Sequence, residues 1–318
     1  MAKLLFWGFV RSQQRKQQPA AKVDLAGKTV LVLGANTGLG FEATKHFANM
    51  NPERLILACR SQSRGQAAVD KLKAETGYRK TELWIIDLAD FNSVKRFGDK
   101  FEREGGRLDI LVENAALMAN KYEATKDGWE SSLQVSCLSV PLVALLFLPA
   151  MIKTGETYST LPKIVVVASE MHHWVDIEKS VRENPNIIKT LGSAQYCNKS
   201  GVMMSRYMLT KLLNIFFVRG MNAVNPGYCC SELRRGINPA MRFIDHLMEL
   251  CLAFTTERHP ETLRGEYINA CEREESSDFV IGPDGVKAEE RLWDEVVDIL
   301  GKVDPRVTRN VKKYLSAA

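Results

Sequence analysis

From Thr29 onward the chain alternates short apolar, β-branched runs with longer amphipathic stretches, the pattern of βαβ units in a parallel sheet. Continuous apolar runs over Thr29 to Leu33, Leu55 to Ala58, Leu83 to Ile86, Ile110 to Val112 and Ile164 to Val167 predict strands covered on both faces, with a weaker sixth over Asn222 to Val224. Between them a helical period predicts helices at Gly38 to Met50, Gln62 to Glu75, Phe91 to Glu104, Gly128 to Ile152 and Met203 to Arg219. Each crossover is long enough to bring the chain back to the same end of the sheet. Beyond Pro226 the pattern predicts an apolar helix over Phe243 to Phe254, a strand over Gly265 to Cys271 and charged helices from Ala288. The expected fold is α/β: a Rossmann-type doubly wound parallel sheet in three αβα layers, forming a single domain over residues 25–318 behind an N-terminal tail at 1–24.

Two apolar stretches test that picture. The segment Val135 to Ile152 is long, but it carries Pro141 and Pro149 and joins two strands of one sheet, so it reads as a buried crossover helix kinked at Pro141. Leu4 to Val10, flanked by Lys3, Arg11, Arg15 and Lys16, is far shorter than the roughly 20 residues a bilayer span needs. It reads either as a tail packed on the domain or as a basic-apolar arm resting on a membrane surface.

Composition narrows the function classes. The 318 residues are 45% apolar and 25% charged, as in an ordinary globular protein. The net charge of +5 is spread without a basic block, which argues against nucleic acid as partner. Seven irregularly spaced cysteines argue against a disulfide framework and for a reducing, cytoplasmic compartment. The five histidines, only His172 and His173 being close together, supply no metal-ligand spacing.

The first chemical signal is Gly34-Ala35-Asn36-Thr37-Gly38-Leu39-Gly40, which leaves the first strand and opens the first helix. A backbone approaching a pyrophosphate cannot carry side chains, and a helix N-terminus offers unpaired N–H groups to the anion. Gly34, Gly38 and Gly40 meet both needs, with Asn36, Thr37 and Leu39 between them. About twenty residues on, where an acid would hold the ribose 2'-hydroxyl of NAD, stands Arg60. A guanidinium pairs with a 2'-phosphate instead, which favours NADP(H), with Arg64 as a second contact and NAD left open.

The glycine loop, Asp87 after the third strand, Asn114-Ala115-Ala116 after the fourth, Ser169 after the fifth and Tyr207-x3-Lys211 on the next helix occur in one order. Together they resemble the short-chain dehydrogenase/reductase family. The flanking text, including Ala58-Cys59-Arg60, Ser169-Glu170-Met171-His172-His173 and Asn225-Pro226-Gly227, is similar to its retinol-dehydrogenase-like fungal branch. A second Tyr-x3-Lys, Tyr122 to Lys126, lies in a polar stretch before Ser169 and is set aside by position. Spacing of i, i+4 on a helix puts Lys211 beside Tyr207, where an ammonium favours phenolate and lowers the tyrosine pKa from about 10.

The resemblance implies that Tyr207 exchanges a proton with the substrate oxygen while the nicotinamide exchanges a hydride at the same carbon. It implies that Ser169 hydrogen-bonds that oxygen and that Lys211 also holds the nicotinamide ribose. By the same analogy Asp87 and Leu88 lie beside the adenine, Asn114 and Ala115 along its ribose, and Pro226 and Gly227 over the nicotinamide. The expected partner is a small carbonyl or alcohol. Trp174, Ile187, Ile188 and Tyr196, between Ser169 and Tyr207, read either as walls of an apolar pocket for a lipophilic substrate or as part of an unselective surface lid. In many relatives the helices from Gly128 and Met203 form a homodimer interface.

Three departures stand against this. The family's fourth catalytic residue, an asparagine, aligns with Ser136, whose hydroxyl holds a water with different reach. Leu33 replaces the usual threonine. The connection from Lys211 to Pro226 is short: residues 212–220 cover about 13 Å as helix, and residues 221–225 about 16 Å as strand. Those lengths nearly cancel, which predicts a truncated helix, a stub of a sixth strand or local misfolding. The alternative function is then a dinucleotide-binding pseudoenzyme with impaired catalysis.

Overall fold

The computed structural model describes residues 23–104, 106–220 and 275–315, together with the backbone of three strands within 228–273. In chain order these are β1 (Thr29–Leu33), α1 (Gly38–Asn49), β2 (Arg54–Cys59), α2 (Gln62–Thr76), β3 (Thr81–Ile85), α3 (Phe91–Glu104), β4 (Ile110–Glu113), the long helix α4 (Ser131–Tyr158) and β5 (Lys163–Ala168). A 3-10 turn (Glu170–Trp174) and short helices α5 (Lys179–Arg182), α6 (Ile187–Gly192) and α7 (Ala194–Cys197) lead into α8 (Val202–Gly220). Then come β6 (Tyr228–Glu232), β7 (Glu266–Asn269), β8 (Glu272–Arg273), α9 (Asp278–Ile281), α10 (Pro283–Val303) and α11 (Pro305–Tyr314).

The strands form one sheet in the order β3-β2-β1-β4-β5-β6-β7-β8, parallel except for β8. Strand order reverses between β1 and β4, which opens a crevice at their C-terminal ends, the place where ligands bind in such sheets. Alternate strand residues feed two cores. Val30, Val32, Leu55, Leu57 and Val112 pack under α1 and α2, whereas Leu31, Leu33, Ile56, Leu111 and Val166 pack under α3, α4 and α8. This is the expected doubly wound, three-layer arrangement, and α4 is buried in it as a crossover helix.

The irregularity in α4 falls upstream of Pro141. Residues Gln134–Leu138 form a π turn in which the N–H of Ser139 reaches back to the carbonyl of Gln134. Pro141 has no N–H for the carbonyl of Cys137, so a widened turn just before it accommodates both the missing donor and the bulk of the ring.

Helix α8 is not truncated: it runs from Val202 to Gly220. Beyond it the run Tyr228–Glu232 pairs along β5, Tyr228 opposite Ile164 and Glu232 opposite Ala168. The N-terminal arm Leu4 to Val10, the strand expected over Asn222 to Val224, Pro226, Gly227 and the helix expected over Phe243 to Phe254 lie outside the described residues.

The C-terminal helices brace the two helices nearest the crevice. Trp293 of α10 stacks on Phe217 of α8 at 6.0 Å, Glu289 pairs with Arg219 at 2.8 Å, and Asn310 of α11 donates to the carbonyl of Leu145 in α4 at 2.9 Å. Helix α10 starts upstream of the expected Ala288, because Gly282 followed by Pro283 and Asp284 is itself a start signal.

Candidate active site

The glycine loop turns at the switch point. Gly34 takes a φ of +74°, and a side chain on it would meet the Cα of Ala115 at 2.9 Å. Gly40 lies against the carbonyl of Gly34, where a Cβ would sit 2.3 Å away. Asn114, at the end of β4, donates from Nδ2 to that same carbonyl at 3.2 Å, so the loops after β1 and β4 hold each other. Thr37 is the extended N-cap residue of α1, and its side chain makes no capping bond. The first N–H groups of the helix therefore have no side chain over them. Asn36 and Leu39 are half-buried, and Thr37 and Gly38 are exposed. A concave, side-chain-free cradle at a helix N-terminus fits a dinucleotide pyrophosphate.

The adenine-side candidates line the neighbouring strand ends. Arg60 follows β2 and is exposed; Arg64 lies in the first turn of α2, where its N–H is capped by Ser61 at 3.4 Å. Asp87 is half-buried and accepts from the N–H of Ala89 at 3.0 Å, so one of its oxygens builds the turn after β3. Leu88 is buried, and its carbonyl accepts from Ser139 in α4 at 2.6 Å. Ala115 is half-buried beside Gly34.

Lys211 joins the helix that carries Tyr207 to the end of β5, just before Ser169. The ammonium of Lys211, 1% exposed, donates to the carbonyl of Val167 at 2.7 Å, two residues before Ser169. The same ammonium lies 5.4 Å from the ring centre of Tyr207. Ser169 caps the 3-10 turn, its Oγ accepting from the N–H of Met171 at 3.2 Å. Ser136 sits on the π turn of α4, and its Oγ accepts from the N–H of Leu117, in the loop after β4, at 3.5 Å. The competing pair Tyr122 and Lys126 is elsewhere, with Lys126 ion-paired to Asp90 at 2.5 Å. Pro226 and Gly227 cannot be placed, but β6 begins after them, so its end toward the crevice is Ser231 and Glu232.

The apolar wall divides. Ile187 and Ile188 are fully buried, and α6 docks on α10 through two bonds from the N–H groups of Ile188 and Lys189 to Glu295, at 2.8 and 3.2 Å. Ile187 is core, and Ile188 lines a small apolar cavity with Cys137, Leu213, Phe216, Leu292 and Trp293, between α4, α8 and α10. Tyr196 is buried with its hydroxyl 3.4 Å from Glu178, and only Trp174 stays substantially exposed.

Two buried charged features escaped the sequence reading. Arg206 and Glu130, both fully buried, pair at 3.5 Å. Glu130 caps α4 by accepting from the N–H groups of Ser132 and Leu133, at 2.8 and 3.0 Å, while Arg206 donates to the carbonyl of Leu191 and to Cys197 Sγ. Burial pushes the Cys197 thiol up against the opposing pull of Arg206. Glu113 ends β4 beside Leu33 and Val166, buried, and neither carboxyl oxygen has a hydrogen-bond partner among the described residues.

Burial holds the Glu113 carboxyl well above the usual carboxylate range. The folded state therefore binds a proton that the unfolded chain releases, and stability falls as pH rises from the ordinary carboxyl range upward. Glu113→Met is expected to stabilise by about 1–3 kcal/mol at about pH 4, where the acid is neutral in both states. The gain should widen toward about pH 8 in urea unfolding curves; a gain that shrinks with pH contradicts the assignment.

The short chain dehydrogenase sequence model matches residues 28–174. The short chain dehydrogenase/reductase dmxR8 of Cryptosporiopsis sp. is 31% identical over 328 residues, covering 95% of this chain and 99% of its own. The short-chain dehydrogenase anuD of Penicillium roqueforti is 32% identical over 329 residues, covering 94% and 84%. Among solved structures, an uncharacterized protein from Mycobacterium paratuberculosis shares the fold at a TM-score of 0.66 and 20% identity, over 90% of this chain and 98% of its own. A short-chain dehydrogenase from Sphingobium yanoikuyae in complex with NADPH matches at a TM-score of 0.50 and 20% identity, over 72% and 84%. The likeness to the fungal proteins runs past the nucleotide half into the C-terminal helices, and the chain belongs to the short chain dehydrogenase/reductase family of NAD(P)-dependent oxidoreductases.

Proposed function

We propose that the protein interconverts a lipophilic alcohol and its carbonyl with NADP(H). The observation that carries this reading is the bond from Lys211, whose ammonium lies by the Tyr207 ring, to Val167 at the end of β5, two residues before Ser169 and on the same sheet as the glycine loop after β1. The cofactor, when bound, supplies or accepts the hydride. The chain supplies the rest. Tyr207 gives its proton to the carbonyl oxygen during reduction and takes it back during oxidation, with the nearby ammonium favouring phenolate. Ser169 accepts from Met171 with a lone pair, which leaves its O–H proton to donate to the substrate oxygen as charge develops. Ser136, on its π turn, stands where a water linking Lys211 to solvent would be held.

Lipophilicity is supported by apolar side chains left in water around this edge. Leu117 and Met118 follow Asn114, Trp174 follows the Ser169 turn, and Met204, 86% exposed, precedes Tyr207 on α8. NADP(H) is supported by exposed Arg60 and Arg64 at the end of β2, where no acid competes for the ribose.

The test is fluorescence titration with NADPH and NADH, then NADPH oxidation across a panel of long-chain and aromatic aldehydes and ketones. Arg60→Ala is expected to weaken NADPH by about 10- to 100-fold, the worth of a charge-assisted contact, and to leave NADH within about twofold. Equal losses for both would return the cofactor question to NAD. A second reading, cofactor binding without turnover, is favoured by one observation: β6 presents Ser231 and Glu232 at the crevice end, with Pro226-Gly227 before the strand. Tight NADPH binding with no oxidation across the panel would select it.

A further inference from the structure

His172 lies within the turn that Ser169 caps, is completely buried, and has no role in the chemistry above. Its ring lies between two main-chain groups of distant parts of the fold. Nδ1 is 2.7 Å from the carbonyl of Ser169, which is an acceptor only, so Nδ1 carries the proton. Nε2 is 3.3 Å from the N–H of Ser277, a donor only, so Nε2 carries the lone pair. One tautomer satisfies both bonds. The Ser169 carbonyl also takes the main-chain N–H of His172 at 3.1 Å, which closes the turn on itself.

Ser277 opens α9, whose Phe279 packs edge-on against Phe216 of α8 at 5.9 Å. Helix α8 carries Tyr207 and Lys211. The ring is thus a direct link between the Ser169 turn and the C-terminal helices that brace the helix of the other two residues. The arrangement is built for a neutral ring: burial first, and then the charge of His173, whose ring centre lies 4.1 Å away, pull the His172 pKa down to about 3 against the Ser169 bond.

We propose that His172 is a positioning residue, a neutral Nδ1-protonated imidazole that ties the Ser169 carbonyl to the Ser277 amide and so sets the serine against Tyr207 and Lys211. The proposal rests on the reading of Ser169 as a catalytic residue. Three measurements on the full-length protein test it. Nitrogen-15 NMR of wild type should find His172 with its proton on Nδ1 and unchanged between about pH 5 and pH 8. His172→Asn keeps a donor near the Nδ1 position and removes the acceptor for Ser277. It should speed amide exchange at Ser277 by about five- to tenfold, yet cost less than about fivefold in kcat. His172→Leu fills the space without either bond and should lower kcat by about 10- to 100-fold, because a small displacement of an oriented group is costly. In both variants the NADPH dissociation constant should stay within about twofold of wild type, since the glycine cradle is untouched.

A proton on Nε2, titration near pH 6.5, a Leu variant as fast as wild type, or equal kcat losses in Leu and Asn would each overturn the proposal and leave the enzyme reading standing. A wild type that oxidises NADPH with no carbonyl would instead sink the reading of Ser169, and the catalytic purpose of the tie with it. The tautomer and the Ser277 exchange rate distinguish these failures, because neither depends on turnover.

Discussion

Tyr207→Phe is expected to lower kcat by about 10²- to 10⁴-fold while NADPH binds as in wild type. The substitution removes one oxygen from a ring that is already mostly buried on α8, so packing is kept. What disappears is the phenol that, in the proposed mechanism, exchanges a proton with the substrate oxygen, with the Lys211 ammonium 5.4 Å from its ring centre. Stopped-flow NADPH oxidation with a competent carbonyl checks this. A kcat within about threefold of wild type would transfer the proton step to another group. Loss of NADPH binding would mean that the ring supports the cofactor more than the chemistry.

Arg206→Met should destabilise the protein by about 3–5 kcal/mol, the usual result of stripping one partner from a fully buried ion pair. Arg206 and Glu130 are both 0% exposed, so water cannot replace the lost partner. The variant leaves a buried carboxylate with the N–H groups of Ser132 and Leu133 and the Ser131 hydroxyl but no countercharge, and it takes from the carbonyl of Leu191 its guanidinium donor, leaving the Cys197 thiol. Urea unfolding measures the loss, and Glu130→Gln combined with Arg206→Met should recover part of it, because a neutral amide is cheaper to bury than an unpaired charge. A loss below about 1 kcal/mol would place the pair in contact with solvent. The consequence reaches the chemistry, since Arg206 precedes Tyr207 and its guanidinium fastens the start of α8 to the segment 191–197.

The strands that make the nucleotide crevice were readable because their residues are buried on both faces and have few alternatives. β1 falls on the expected Thr29 to Leu33, and α3 on the expected Phe91 to Glu104. The glycine loop was readable for a related reason: Gly34 and Gly40 touch backbone, and no other residue type fits. What escaped was set by partners far away in sequence. Arg206 looks like a helix-surface charge until Glu130 is brought to it across 76 positions of chain. Ile187 and Ile188 suit a pocket or a core equally in sequence, and the docking of α6 on α10 puts Ile187 in the core and Ile188 on the wall of a small apolar cavity. The strand over Tyr228–Glu232 escaped because Tyr228-Cys229-Cys230-Ser231-Glu232 lacks the continuous apolar run that marks the other central strands. The ring of His172 gives no hint of its role until Ser277 is seen beside it.

Trp293 on α10 and Asn310 on α11 give a last consequence, one that concerns biosynthesis. The helices carrying Tyr207 and Ser136 are completed by contacts from residues synthesised well after them. During translation the nucleotide half emerges and can collapse before α10 and α11 have been made. Activity should therefore appear only once α11 has emerged, and a stop codon placed before Pro283 should yield a glycine cradle without turnover.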